Sequence, residues 1–251
     1  MLTRQRKRWI LERLECDGQL VAADASRELG VSEDTMRRDL RALAAQGLLQ
    51  RVHGGALPAS RAIATLAERQ RVEPEGKRAI AIAAAGMIQA GQVVFLDGGT
   101  SCRQLARALP PGLAVTVVTH SPTVAAELAG HAFVEIILIG GRVFRHSMVA
   151  VGAAAVEMIN RINIDVYFMG VTGIDARAGL STGDMEEAQV KRTILARAAE
   201  TWVLASAEKL NAASAYVIAP CHAVSGLIVE AGTPPAALAA LEALGLAIVR
   251  A

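Results

Sequence analysis

The hydrophobic pattern of this chain changes period once, near residue 56. Before that point the period is helical. Residues 3–16 place Trp9, Ile10 and Leu14 on one side, and Asp17-Gly18 ends the segment. Residues 21–29 form a second short helix with Ala22, Ala25 and Leu29 inward, and Gly30 lets the chain turn. Met36, Leu40 and Leu43 then recur at i, i+4 and i+7, a core-facing stripe that pushes Arg37, Arg38 and Arg41 outward. Ser32 is a natural N-cap for this third helix. Glu33 and Asp34 occupy its first turn, where the helix dipole favours negative charge. Gly47 closes it, and "LLQRVHGGA" (48–56) alternates like a short hairpin, with Gly54-Gly55 near its end.

Residues 57–78 are polar and loosely patterned, with Pro58, Pro74 and Gly76, and with helical character around Leu66–Arg71. From residue 79 onward strands and helices alternate. Strands are predicted at 93–97, 114–120, 133–141, 164–175 (strand and turn), 201–206, 215–219, 224–230 and 246–249. Helices are predicted at 101–109, 122–130, 152–161 and 184–200. Such alternation predicts an α/β domain with a mainly parallel sheet. The expected organisation is a small domain over 1–57, a linker over 58–78 and a larger domain over 79–251.

Composition sharpens this picture in three places. Hydrophobic residues make up 53% and charged residues 20%, enough for a sizeable core, while aromatics at 3% leave that core to Ala, Val, Leu and Ile. The net charge of +2 matters less than its placement: residues 1–56 carry 10 Lys or Arg against 8 Asp or Glu, and the remainder is balanced. Local basic patches, more than total charge, mark nucleic-acid binding. Arg4, Arg6, Lys7 and Arg8 form one cluster, read here as a solvated helix face, and Arg37, Arg38 and Arg41 form another. Cys16, Cys102 and Cys221 are far apart, with no Cys/His pair at metal-ligand spacing, so neither a disulfide framework nor a metal is expected. The N-terminus lacks an apolar run of the signal-peptide kind, and no run approaches the roughly 20 residues of a membrane span. A soluble, cytoplasmic protein is expected.

Helix, helix, turn, helix and ribbon is the winged helix-turn-helix plan, in which the last helix enters the major groove. Its apolar side seats it on a small core. Its arginines face phosphates and guanine edges. The competing reading makes the arginines solubilising only, with Asp34 and Arg38 an ordinary i,i+4 ion pair. In the larger domain, ligands of an open parallel sheet sit beyond the carboxyl ends of the strands. "DGGTSC" (97–102) lies at such an end. Gly98 and Gly99 admit backbone N–H groups to an anion, Thr100 and Ser101 add hydroxyls, and the helix start adds its dipole. A tight turn without a ligand fits the same residues. Other polar strand ends are Thr119-His120-Ser121, Gly140-Gly141 and "GVTGID" (170–175), and His120 alone reads as a structural histidine. Glu187 and Lys191 are spaced as a surface ion pair, though Lys191 or Lys209 could neutralise a phosphate. Cys102 reads as a packing residue.

Taken together these residues resemble the DeoR family of bacterial transcription regulators. "VSEDTMRRDLRALAAQGLLQRVHGGA" (31–56) is the specific part. "FLDGGTS", "VVTHS", "ILIGG", "VGAAA", "GVTGID" and "EKL" extend the likeness over nearly the whole chain. The resemblance implies a winged helix-turn-helix domain followed by a sensor domain similar to ribose-5-phosphate isomerase. It implies double-stranded operator DNA as partner, a phosphorylated sugar as effector, a homodimer or higher homo-oligomer, and no cofactor. The DNA-facing set it implies is Ser32, Asp34, Thr35, Arg37, Arg38, Arg41, Arg51 and His53. The effector set is Asp97, Gly98, Gly99, Thr100, Ser101, Thr119, Ser121, Gly140, Gly141, Gly173, Asp175, Glu187, Lys191 and Lys209. The chain departs from the family pattern at His120, where Asn is usual, and at Ser206, where an acid is usual. An alternative is a sugar-phosphate isomerase-like enzyme fused to a DNA-binding module, with Glu187, Asp175 or Lys191 moving protons.

Overall fold

The computed structural model describes residues 2–60, 71 and 73–251. The first helices are α1 (Thr3–Asp17), α2 (Ala22–Glu28) and α3 (Glu33–Ala45). They pack through Ile10, Leu14, Ala25, Met36, Leu40 and Leu43, the residues that the helical periodicity points inward. Ser32 caps α3: its hydroxyl oxygen accepts the Thr35 N–H at 3.2 Å. Ser32→Ala should lower the urea midpoint of the protein by the equivalent of about 1 kcal/mol; an unchanged midpoint would show that the cap carries no stability.

Arg6 corrects the reading of the basic cluster as a solvated face. It is buried, and its Nε donates to Asp39 Oδ2 at 2.5 Å, tying α1 to α3. The hairpin is also larger than expected. Strand β2 (Leu49–Val52) pairs with β3 (Gly55–Pro58), which runs past residue 56, and β3 pairs in turn with a two-residue strand, β1 (Leu20–Val21). Two residues are too few for a period to show. Gly55 makes the pairing possible, because a Cβ there would run into the Leu20 carbonyl oxygen.

Helix α4 (Pro74–Gly86) starts inside the stretch read as linker, with Pro74 at its first turn. Helical character expected around Leu66–Arg71 falls, except for Arg71, outside the described residues. The main sheet then builds from β4 (Val93–Leu96), β5 (Val115–Thr119), β6 (Val134–Leu138), β9 (Ile164–Gly170), β12 (Ala198–Ala205), β14 (Gly226–Val229) and β15 (Ala247–Arg250). Its order is β15-β14-β12-β9-β4-β5-β6, and every neighbouring pair is parallel. Alternate residues of its strands enter two separate cores. Val94, Leu96, Val117 and Phe168 meet α4, α5 (Thr100–Ala108) and α6 (Pro122–Leu128). Phe95, Val118, Tyr167 and Met169 meet α7 (Ala153–Ile159), α8 (Met185–Leu195) and α9 (Pro235–Glu242). Burial on both faces explains why these strands are continuous apolar runs.

Three boundaries differ from expectation. The helix expected over 184–200 stops at Leu195, and Ala198 already pairs with Ile164 in the sheet. The run Leu195–Ala199 is rich in alanine and suits either period. Residues 164–175, expected as a strand and turn, divide at Gly170, and Gly173–Asp175 of the expected turn becomes β10. With β11 (Gly179–Thr182) and β13 (Tyr216–Ala219), β10 forms a separate antiparallel sheet, so residues 215–219 do not join the main one. A hairpin of β7 (Arg142–Phe144) and β8 (Val149–Val151) follows β6 and was not foreseen.

The segment leaving β3 is tied to the larger part. Ala59 bridges Ala213, and the buried Ser60 hydroxyl donates to the Thr172 carbonyl.

Candidate functional site

Two surfaces hold the candidate chemistry. On the first, α3 presents Arg37, Arg38 and Arg41 to solvent. Arg37 pairs with Glu33 at 2.7 Å and Arg38 with Asp34 at 3.0 Å, both one turn back along α3. The ion pair considered from the spacing is therefore present. It does not compete with a basic face, since exposed pairs of this kind are worth about 0–1 kcal/mol and exchange readily for phosphate. Ser32 and Thr35 sit at the start of α3, their hydroxyl oxygens 3.0 Å apart. Arg51 and His53 are exposed on the ribbon. The fold brings Arg37, Arg51 and His53 to the wall of one concavity between α3 and the ribbon.

The second surface is a cleft at the carboxyl ends of β4 and β9. Gly98 and Gly99 lead from β4 into α5. A Cβ on Gly98 would strike Val149, and Gly99 caps the helix at φ 94°, a conformation L side chains rarely adopt. The first helical bond of α5 runs from Arg103 N–H to the Gly99 carbonyl, so the amides of Thr100, Ser101 and Cys102 precede the intrahelical ladder. Ser101 Oγ is buried without a hydrogen-bond partner. Donors with no internal acceptor at a helix N-terminus suit an anion.

Behind the loop lies Asp97, fully buried, on which the site is organised. Its Oδ1 accepts the Gly98 N–H at 2.8 Å and faces His120 Nε2 at 2.7 Å. Its Oδ2 accepts Tyr167 OH at 2.8 Å, the Gly170 N–H at 2.9 Å and Lys191 Nζ at 2.5 Å. Burial alone would raise the carboxyl pKa. Lys191, with His120, outweighs it and holds Asp97 well below the usual carboxylate range. Burial likewise works against the Lys191 ammonium, and Asp97 and Glu187 outweigh it, leaving the pKa raised. His120 is a structural histidine, as expected, its other nitrogen 3.0 Å from the Ala150 carbonyl oxygen.

Seven of the expected effector residues line the cleft: Gly98, Gly99, Thr100, Ser101, Glu187, Lys191 and Lys209. Glu187 and Lys191 are buried, 3.7 Å apart, which overturns their reading as a surface pair. Asp97 supports the cleft from below. The other expected positions do not line it. Thr119 Oγ1 accepts the Ser121 N–H, and Ser121 Oγ donates to the Met148 carbonyl, so both brace the loop beside β8. Gly140 and Gly141 carry the chain from β6 into β7, where Gly141 passes close to the Val151 carbonyl. Gly173 packs under the Ala212 carbonyl. Asp175 Oδ1 accepts the N–H groups of Arg177 and Ala178, fixing a turn that faces the ribbon.

Thr172, from the strand end "GVTGID", lines the cleft as well, and so do Lys77, Ser147, Thr182 and Glu208, which were not foreseen. Lys77 was hidden in the presumed linker. Thr182 could have been found only through its contact, a 2.5 Å hydrogen bond to Glu187. Ser206, the departure from the family pattern, donates to Glu208 Oε1 at 2.7 Å. Cys102 is a packing residue: burial pushes its thiol pKa up, away from thiolate. Among the described residues, no three His, Cys, Asp or Glu side chains are placed to hold a metal, and no helix is long and apolar enough to cross a membrane.

Comparison with known proteins gives the family. Residues 6–62 match the DeoR-like helix-turn-helix domain, and residues 72–231 the DeoR C terminal sensor domain. The HTH-type transcriptional regulator GlpR of Haloferax volcanii is 34% identical over 252 residues, covering 99% of this chain and 98% of that one. The glycerol-3-phosphate regulon repressor of Escherichia coli K12 is 33% identical over 192 residues, 76% of each chain. Among solved structures, ribose 5-phosphate isomerase A of Methanocaldococcus jannaschii aligns over 53% of this chain and 52% of its own, at 16% identity and a TM-score of 0.39. The chain belongs to the DeoR family of DNA-binding transcriptional regulators.

Proposed function

We propose that this regulator represses a sugar-catabolic operon in the cytoplasm, and that a phosphorylated sugar bound at the α5 cleft releases it from operator DNA. Residues 1–58 bind DNA, and 74–251 bind effector and form a homodimer or higher homo-oligomer that meets paired half-sites. Ser32, Asp34, Thr35, Arg37, Arg38 and Arg41 face the groove, with Arg51 and His53 on the flanking backbone. The observation that carries the effector reading is the start of α5, where three amides and Ser101 Oγ lack internal acceptors beside Lys191 and Lys209. A binding role is favoured over catalysis because the carboxylates are engaged: Asp97 by Lys191 and Tyr167, and Glu187 by Thr182.

The test is fluorescence anisotropy on DNA from upstream of the protein's own operon, at fixed salt, with a panel of sugar phosphates. Arg37→Ala and Arg38→Ala should each weaken operator binding by about 1–3 kcal/mol and relax base preference. Unchanged affinity in both variants would remove α3 from the interface, and operator binding that no sugar phosphate reverses would remove the effector.

A further inference from the structure

The effector cleft adjoins a second cavity, and the two share Lys77 and Thr100. The second cavity is lined by Pro74, Lys77, Thr100, Arg103, Gln104 and Arg107. Three of these carry positive charge, two more are neutral hydrogen-bonding side chains, and no carboxylate is among them. Thr100, Arg103, Gln104 and Arg107 fall at i, i+3, i+4 and i+7 of α5, one continuous polar face. Lys77 comes from α4, is only 3% exposed, and lies 3.6 Å from Glu208 on the cleft side. Arg103 and Arg107 share a single carboxylate, Glu127, at 2.5 and 2.7 Å. Two guanidiniums on one carboxylate leave a unit of positive charge facing the cavity.

We propose that this cavity is an annex of the effector site, and that the effector carries two anionic groups. One is a phosphate at the start of α5. The other, a second phosphate or a carboxylate, is held by Lys77, Arg103 and Arg107. This rests on the sugar-phosphate reading and narrows it to bisphosphorylated sugars and phosphorylated sugar acids. Arginine is suited to such a role because its planar fork matches both phosphate and carboxylate oxygens. Gln104, between the two arginines in sequence, serves as a neutral donor that leaves the field positive.

The experiment is titration calorimetry on the full chain with inorganic phosphate, glucose 6-phosphate, fructose 1,6-bisphosphate and 6-phosphogluconate, at matched ionic strength. At least one of the two sugars with two anionic groups should bind about tenfold tighter than glucose 6-phosphate, the gain of about one charge-assisted hydrogen bond. Which of the two gains distinguishes a second phosphate from a carboxylate. Gln104→Glu places a negative charge in the annex without breaking the Glu127 pairs. It should abolish that tenfold advantage and leave glucose 6-phosphate binding as it was. Arg107→Gln should reduce the advantage in the same direction. Equal affinity for one and two anionic groups would overturn the annex while leaving the sugar-phosphate reading intact. Equal weakening of every ligand by Gln104→Glu would overturn it too. No binding by any of the four would overturn both readings together.

Discussion

Asp97→Ala is expected to cost about 3–5 kcal/mol of folding stability, because it takes from the buried Lys191 ammonium its closest counter-charge and leaves only Glu187 at 3.7 Å. Tyr167 OH, the Gly170 N–H and His120 lose their acceptor in the same step. A change of this size unfolds a substantial share of a marginally stable protein, and equilibrium urea denaturation at neutral pH reads it directly. The pH dependence provides a second signature. The native pKa of Asp97 lies below its unfolded value of about 3.9. Its contribution is therefore complete above about pH 4 and is lost as the pH falls further toward the native value. Asp97→Asn should flatten that acid limb of the stability profile. A variant as stable as the parent, with the parent's acid limb, would show that Asp97 does not organise the site.

The second large effect lies in the DNA-binding domain. Arg6→Leu should destabilise it by about 3–5 kcal/mol, since Asp39 would remain buried without its partner. Removing both charges, as Arg6→Leu/Asp39→Leu, should recover most of the loss, because an apolar pair avoids the desolvation penalty that the ion pair must offset. Asp39 lies on α3 between Arg38 and Leu40, so operator affinity should follow the same order: parent, double variant, single variant. A double variant as unstable as the single one would place the cost in packing around Arg6 rather than in the uncompensated charge.

Legibility followed the range of the interaction. The α3 cap, its core stripe and its outward arginines are local, and all three stand where the period of the sequence puts them. The buried parallel strands were equally plain, since burial on both faces leaves an unbroken apolar run. Arg6 was misread because nothing local distinguishes it from Arg4 or Arg8; its partner is 33 residues away. The surface-pair reading of Lys191 failed for the same reason. Its neighbour at i−4 suggested a surface pair, while its closest counter-charge, Asp97, is 94 residues away. Glycine motifs behaved in two ways. Gly98-Gly99 marks the cleft, whereas Gly141 and Gly173 serve close packing, and sequence alone does not separate those uses.

The tie between Ser60 and Thr172 bears on how such a regulator responds in a cell. Thr172 lines the effector cleft, and Ser60 lies two residues beyond the last strand of the ribbon. On the function proposed above, ligand and DNA act on one short stretch of chain, and linkage between two sites is reciprocal. An effector that weakens operator binding by about 5- to 150-fold is itself bound that much more weakly by protein already on the operator. Protein off the DNA then fills first and acts as a sink for the sugar. The induction threshold becomes a property of the number of copies in the cell as well as of the affinity of the cleft.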